Sequence, residues 1–438
     1  MTEERATRIV DVLLTEFGDL IRTDPPAFRR KFRKMASAPF AFYRGSACLF
    51  YADLQAAPYA DLLTDFLDER TSRVWIHGDL HAENYGTYMN AAGMLVFNVN
   101  DFDEAYVGPF TWDLQRFAAS IALIGYAKAL SDDVISELVT TCAQAYLAEI
   151  RAIATDGDDS IGSLTLATTD GPLHGVLQRS RLNTRIDMLS EQTSLDHYER
   201  RFTLRDGVQR VDPETRERVE AAFLDYLTTV PPDRRERPEA YQIKDVVLRK
   251  GVGIGSAGLP SYNLLLEGHT QALENDVVLY MKQGQIPAVS RHVTDESIRS
   301  YFRHQGHRTV ESQRALQASA DAWLGHTTFD GLGQVVAEVS PYAVDLDWSD
   351  LNEPEALGRV VTQLGRTMAR MHSVADDESA HDLVNFSTEE AIVAALDADE
   401  GGFVKTLVEF AHQYGAQARA DHQTFVDLFR NGKLPGLQ

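Results

Sequence analysis

The chain reads as an α+β protein of two lobes, and three features predict this. Apolar residues recur at helical spacing near both ends, with Val10, Leu13, Leu14 and Phe17 in one stretch and Leu357, Val360, Val361, Leu364, Met368 and Met371 in the other. A β-rich block over residues 240–345 separates those helical regions. Between them, residues 73–103 pack a short apolar strand, a polar loop and a hairpin into one segment.

Taken in order, residues 1–72 form an N-terminal helical segment of the large lobe. Within it Arg29 to Lys34 reads RRKFRK, which fits a solvated helix face, with an anion-facing patch as the sharper alternative. Residues 73–239 carry the loops and helices of the same lobe. Arg73 to Ile76 is a strand that runs into His77-Gly-Asp79-Leu-His-Ala-Glu-Asn84. Tyr85 to Met89 and Met94 to Val99 flank the turn residues Asn90-Ala-Ala-Gly93, a hairpin that delivers Asp101-Phe-Asp103. Helical periodicity returns over 111–150, and 151–239 reads as loops and short helices, one near Pro213 to Leu227. The small lobe, 240–345, holds strands at Ile243 to Arg249, Tyr262 to Leu266, Val277 to Met281 and Gln334 to Val339, with helix over 294–325. Residues 346–438 return to helices of the large lobe.

Composition removes several function classes. The 438 residues include 42 Lys plus Arg against 65 Asp plus Glu, a formal charge of −23. That excess repels phosphate backbones and anionic lipid, so neither nucleic acid nor a membrane surface is an expected partner. The apolar run Phe117 to Leu130 is too short to span a bilayer and is interrupted by Lys128. The acidic N-terminus does not resemble a targeting signal. Two cysteines, Cys48 and Cys142, neither form a disulfide framework nor show metal-ligand spacing, so a cytoplasmic protein is expected. His292, His304 and His307 are likewise not spaced as a metal motif.

Three constellations carry chemistry. Asp79, followed five residues later by Asn84 and, after the hairpin, by Asp101, supplies a carboxylate that can take a proton and oxygen ligands suited to Mg2+. The loop Lys250-Gly-Val-Gly253-Ile-Gly255-Ser256-Ala-Gly258 can close over phosphates. Pro260 and a β-compatible run follow it, favouring a strand over the helix that a dinucleotide fold requires. Lys282 ends an apolar strand where it can hold phosphates, oriented by a carboxylate, with Glu311 the candidate and Glu296 in reserve. His77 is expected to brace the loop. Asp113 is either a helix cap or a clamp on the loop's backbone N–H groups. Arg44, between apolar residues in Phe-Tyr-Arg-Gly, suits a carboxylate or phosphate.

HGDLHAEN, NDFDE and WDL together resemble the catalytic and metal-binding segments of aminoglycoside phosphotransferases and choline-kinase-like enzymes. The glycine loop, Lys282 and Glu311 resemble the small lobe of that kinase-like fold, residues 334–342 its hinge, and 357–372 the helix that precedes its catalytic loop. The order is rotated, since the catalytic loop at 77–84 precedes the glycine loop at 251–258, which implies a circular permutation. Over roughly 25–375 the chain also resembles a bacterial family, the domain of unknown function numbered 2252.

What the resemblance implies is a Mg2+- and ATP-dependent phosphotransferase. Gly253, Gly255, Ser256, Gly258 and Lys282 would bind nucleotide, Asn84 and Asp101 the metal. Asp79 would be the base, with His77, Asp103, Asp113 and Arg44 in support. No protein-kinase activation segment lies between Asp101 and Asp113, which points to a small-molecule acceptor. A nucleotide-binding pseudokinase and an AMP-transferring enzyme are the alternatives on the same fold. A dinucleotide-dependent oxidoreductase is a third and leaves GDLHAEN unexplained.

Overall fold

The computed structural model describes residues 3–156, 163–250, 259–377, 379 and 381–436. It is α+β, and helices from both ends of the sequence pack together. Helices Glu3–Thr23, Pro25–Met35, Pro39–Gly45 and Ala47–Leu54 open the chain. Their apolar faces meet the last helix, Glu400–Arg430, across the whole length of the sequence. Phe32 packs edge-on against Phe425 and Phe429, with ring centroids 5.4 and 6.1 Å apart. Arg5 ties the same elements together by charge: it donates to both oxygens of Asp53 at 2.7 Å and to Asp421 at 2.9 Å.

One large apolar cluster runs through these helices, through Phe110–Ala127 and Asp132–Asp156, and through Pro354–Ser373. The last of these is amphipathic as its spacing predicts, with Leu357, Val360, Val361, Leu364, Met368 and Met371 all buried. It approaches the Asp132–Asp156 helix closely at Gly365, where a Cβ would stand 2.4 Å from the Cys142 carbonyl oxygen. The Phe117 to Leu130 run is mostly buried within this cluster. Among the described residues, no helix is long and apolar enough to cross a membrane.

The β-rich part is a six-stranded antiparallel sheet. Its order across the sheet is Gly325–Phe329, Leu332–Glu338, Val277–Gln283, Ser261–Leu266, Ile243–Arg249 and Val208–Arg210. Two of these strands differ from expectation. Val208–Arg210 lies before residue 240 yet pairs with Ile243–Arg249, so the sheet takes its edge strand from the region read as loops. Gly325–Phe329 begins where the stretch read as helix ends and is not among the expected strands, and that stretch itself breaks into Glu296–Tyr301 and Gln305–Leu316. Val208–Arg210 is short and is held by pairing with a strand that lies beyond a helix, which local propensity does not report, whereas Gly325–Phe329 pairs with its sequence neighbour Leu332–Glu338 across the turn at Asp330 and Gly331. The hairpin of Ile243–Arg249 with Ser261–Leu266 puts Arg249 opposite Ser261. A strand, not a helix, therefore follows the glycine-rich segment. Residues 251–258, and with them Gly253, Gly255, Ser256 and Gly258, lie outside the described residues.

The segment 73–103 forms as its turn chemistry predicts. Val74–Ile76 pairs with Tyr106–Gly108, and Tyr85–Met89 pairs with Leu95–Val99 in the register Tyr85 to Val99 and Met89 to Leu95. The Asn90 side chain accepts from the N–H groups of Ala92 and Met94 and closes that turn.

Candidate functional site

Asp113 organises the loop after Val74–Ile76. It is fully buried in the first turn of the Phe110–Ala127 helix, and its carboxylate accepts from the N–H of His77 at 2.6 Å and of Gly78 at 2.9 Å. These N–H groups have left the strand ladder, and a buried donor without an acceptor is costly. Gly78 turns the chain at φ +77°, and a Cβ there would lie 2.2 Å from the Glu104 carbonyl oxygen, so only glycine fits. The Tyr51 hydroxyl donates to the Gly78 carbonyl. His77 bonds the Asn100 carbonyl through Nε2 at 2.7 Å, while its Nδ1 accepts from the Asp79 N–H at 3.3 Å. Through these two contacts the ring joins the loop to the segment carrying Asp101.

Asp79 is gripped from one side. Arg116, buried in the same helix as Asp113, donates to Asp79 Oδ1 through Nε at 2.6 Å and approaches the same oxygen through Nη2 at 2.5 Å. The guanidinium lies 4.2 Å from the Tyr43 ring centroid and donates to the Tyr43 carbonyl at 3.0 Å. Burial raises the Asp79 pKa, and Arg116 works against that rise. The Asn84 amide nitrogen donates to the Asp79 carbonyl at 2.8 Å, which leaves Oδ1 as that side chain's acceptor.

Asp101 follows the hairpin in the left-handed region, at φ 60°, and opens to the cleft. Loss of solvent around it and the neighbouring Asp103 carboxylate raise its pKa. Lys282 donates to Asp103 Oδ2 at 3.0 Å. Burial opposes the Lys282 charge, but Asp103, Tyr280 and Asp101 together more than offset it and the ammonium is held above its ordinary value. The other oxygen, Asp103 Oδ1, is buried with no hydrogen-bond partner among the described residues.

The expected pairing of Lys282 with Glu311 does not form. Glu311 instead accepts from Arg314 at 2.9 Å, one turn along its own helix. The reason is helical phase. Thr309, Gln313 and Gln317 line the cleft four residues apart, and Glu311, two residues off that row, falls on another face. Glu296, the reserve, begins a different helix. Arg44 has a carboxylate partner within the protein itself, Glu83 of the loop.

Two cavities meet at these residues. One, of about 220 Å³, is lined by Tyr88, Tyr280, Lys282, Val335, Ala337 and Glu338. The other, of about 80 Å³, is lined by Lys31, Arg44, Asp79, His81 and Glu104 among others. Asp101 and Asp103 belong to both. Larger grooves, of about 660 and 700 Å³, open on the β-rich part beside Arg210 and Lys244 and beside Leu224 and Tyr241. They contain none of the site residues selected from the sequence. Among the described residues, no three His, Cys, Asp or Glu side chains group as a metal site.

Three participants were not singled out from the sequence. Arg116 was detectable as a charge inside an apolar helical run, three residues after Asp113. Arg308 is buried on the Gln305–Leu316 helix and donates to the carbonyls of Asp103 at 2.7 Å, Ala105 at 2.5 Å and Gln285 at 3.0 Å, fixing the turn that carries Asp103. Glu104 follows Asp103, and burial with the nearby Glu16 and Asp79 carboxylates pushes it up to about 8.

Glu104 carries a pH signature. Between its ordinary 4.5 and about 8 the folded protein holds a proton that the unfolded chain has released. Stability from this group is thus full below the lower value and declines as pH rises through that window. Urea unfolding at pH 5 and pH 8 should show a smaller loss of stability in Glu104→Gln than in the wild type.

A family model described as "Uncharacterized protein conserved in bacteria (DUF2252)" matches residues 22–428. No curated protein and no solved structure matches the chain.

Proposed function

The chain belongs to the DUF2252 family, and from that premise, which assigns no reaction, we propose that it is an ATP-dependent phosphotransferase with a small-molecule acceptor. The observation that carries this reading is the pair of cavities joined at Asp101 and Asp103, with Lys282 on one side and Asp79 on the other. A phosphoryl transfer needs that layout, with donor and acceptor entering from opposite sides of one charged junction. The strand after the glycine-rich segment supports a phosphate-covering hairpin and speaks against a dinucleotide fold.

In this reading the fold is kinase-like and circularly permuted. The antiparallel sheet with Lys282 is the small lobe, Gln305–Leu316 its partner helix, and Leu332–Glu338 leads into the hinge. Pro354–Ser373 is the helix that would precede the catalytic loop in the unrotated order.

The residues present fit a magnesium ion. Asp101 and Asn84 offer hard oxygens, and Mg2+ takes one or two such ligands while substrate phosphates and water complete its shell. Bound there, the ion would neutralise phosphate charge. Lys282 would hold the nucleotide's phosphates, exchanging part of its bond with Asp103 for them. Asp79, held at Oδ1 by Arg116, keeps Oδ2 for the acceptor hydroxyl. As the hydroxyl oxygen bonds to the γ-phosphorus, the bond from that phosphorus to the ADP oxygen breaks and the hydroxyl proton passes to Asp79.

The test is thermal unfolding with and without Mg·ATP, in the wild type and in Asp101→Asn. A ligand at 100 times its dissociation constant adds about 2.7 kcal/mol to the folded state. A metal-dependent rise in the wild type that Asp101→Asn loses is the expected result. No rise with millimolar ATP would overturn the reading. The mass added to an acceptor, phosphate or AMP, separates a kinase from a nucleotidyl transferase.

A further inference from the structure

The smaller cavity holds a lysine that the reaction described above does not use. Lys31 lies on the Pro25–Met35 helix with only 5% of its surface exposed. Its neighbours Arg29, Arg30, Arg33 and Lys34 all face solvent, so helical phase selects this one basic residue for the interior. Its Nζ lies 4.0 Å over the Phe17 ring, which supports a cation but offers no hydrogen-bond acceptor. Among the described residues Lys31 has neither a hydrogen bond nor an ion pair.

Asp101 also lines this cavity and is the carboxylate that the phosphotransferase reading assigns to the metal; the other charges around the cavity are already engaged. Glu16 accepts from Arg291 at 2.9 Å, Asp79 from Arg116, and Asp103 from Lys282, while Arg44 pairs with Glu83. Glu104 accepts from the Ala288 N–H at 2.6 Å and, pushed up to about 8, is mostly protonated at neutral pH. With Asp101 given to the metal, the charge left unmatched is the positive one on Lys31. A buried ammonium without a partner is costly, and burial lowers the Lys31 pKa accordingly. A carboxylate arriving beside it would reverse that penalty.

We propose that this cavity is the acceptor subsite and that Lys31 selects a small hydroxy-carboxylate, binding its carboxylate while its hydroxyl faces Asp79. This rests on the phosphotransferase reading, because Asp79 and the junction at Asp101 give the hydroxyl its role. The transfer forms the bond from hydroxyl oxygen to γ-phosphorus, breaks the bond to ADP, and leaves the proton on Asp79. The products are a phosphorylated hydroxy acid and ADP.

Three probes that differ in one group decide it: glycolate, ethylene glycol and ethanolamine, carrying a carboxylate, a hydroxyl and an ammonium. Ligand-observed NMR on the full chain should show glycolate binding at tens of millimolar or below, ahead of the other two. Lys31→Met should weaken glycolate at least tenfold, about 1.4 kcal/mol, and keep the wild-type thermal rise with Mg·ATP. Absent glycolate binding, preferred binding of ethanolamine, or glycolate affinity unchanged in a folded Lys31→Met would overturn the proposal. If Lys31→Met does not fold, the three-probe ranking on the wild type still decides. A missing Mg·ATP rise in the wild type indicts the phosphotransferase reading instead, whereas a normal rise with failed glycolate binding indicts the acceptor subsite alone.

Discussion

Asp79→Asn should lower steady-state ADP release by about 10²–10⁴-fold, the range for loss of a general base, while the thermal rise with Mg·ATP persists. It should also destabilise the protein, because Arg116 is fully buried and Asp79 is its carboxylate. Removing one partner of a buried pair costs about 3–5 kcal/mol, and about 3 is expected here because the amide oxygen still accepts a hydrogen bond. The two effects separate in a double variant. Asp79→Asn with Arg116→Met should recover part of the stability in urea unfolding, since no buried charge is then left alone, yet recover no turnover. Turnover restored in the double variant would mean that Asp79 serves Arg116 and not the reaction.

Asp113→Ala is the larger structural perturbation. It orphans the N–H groups of His77 and Gly78 at once, and each unsatisfied buried donor costs about 1–3 kcal/mol, so about 3–5 kcal/mol is expected in urea unfolding. The same change frees the turn at Gly78. Amide exchange at residues 77–79 should accelerate more than exchange in the surrounding helices, and ADP release should fall although Asp79 itself is intact. Asp113→Asn keeps one acceptor oxygen and should lie between the wild type and alanine. Unaltered exchange at these amides would remove Asp113 from its positioning role.

These residues also mark how far the sequence carried. The loop from His77 to Asn84, the hairpin closed by Asn90, and the long helix ending at Ser373 were legible because their signals are local: turn chemistry, alternation, and a repeating apolar face. The α+β class followed from the same signals. Glu311 was misplaced because a carboxylate near a helix start says nothing about which face meets the cleft; that face carries Thr309, Gln313 and Gln317. The edge strand Val208–Arg210 was invisible because three residues carry no period, and its partner lies beyond a helix. Lys31 was hidden by its neighbours. A basic run looks uniformly solvated until the phase set by Phe28, Phe32 and Met35 is followed, and that phase buries Lys31 alone. Arg116 could have been found by asking what an arginine does inside an apolar helix.

The clamp of Arg5 on Asp53 and Asp421 has a consequence for biosynthesis. The wall bearing Lys31 is made first, yet Phe425 and Phe429, which pack on the adjacent Phe32, are made last. At about 5–20 residues per second, the early helices wait about 20–80 s on the ribosome before their partners exist. During that interval their apolar faces, rich in phenylalanine, are natural clients for a chaperone. The wall bearing Lys31 is thus among the last parts of the site to be fixed, so a chain released early carries Asp79, Asp101 and Lys282 without a closed cavity beside them.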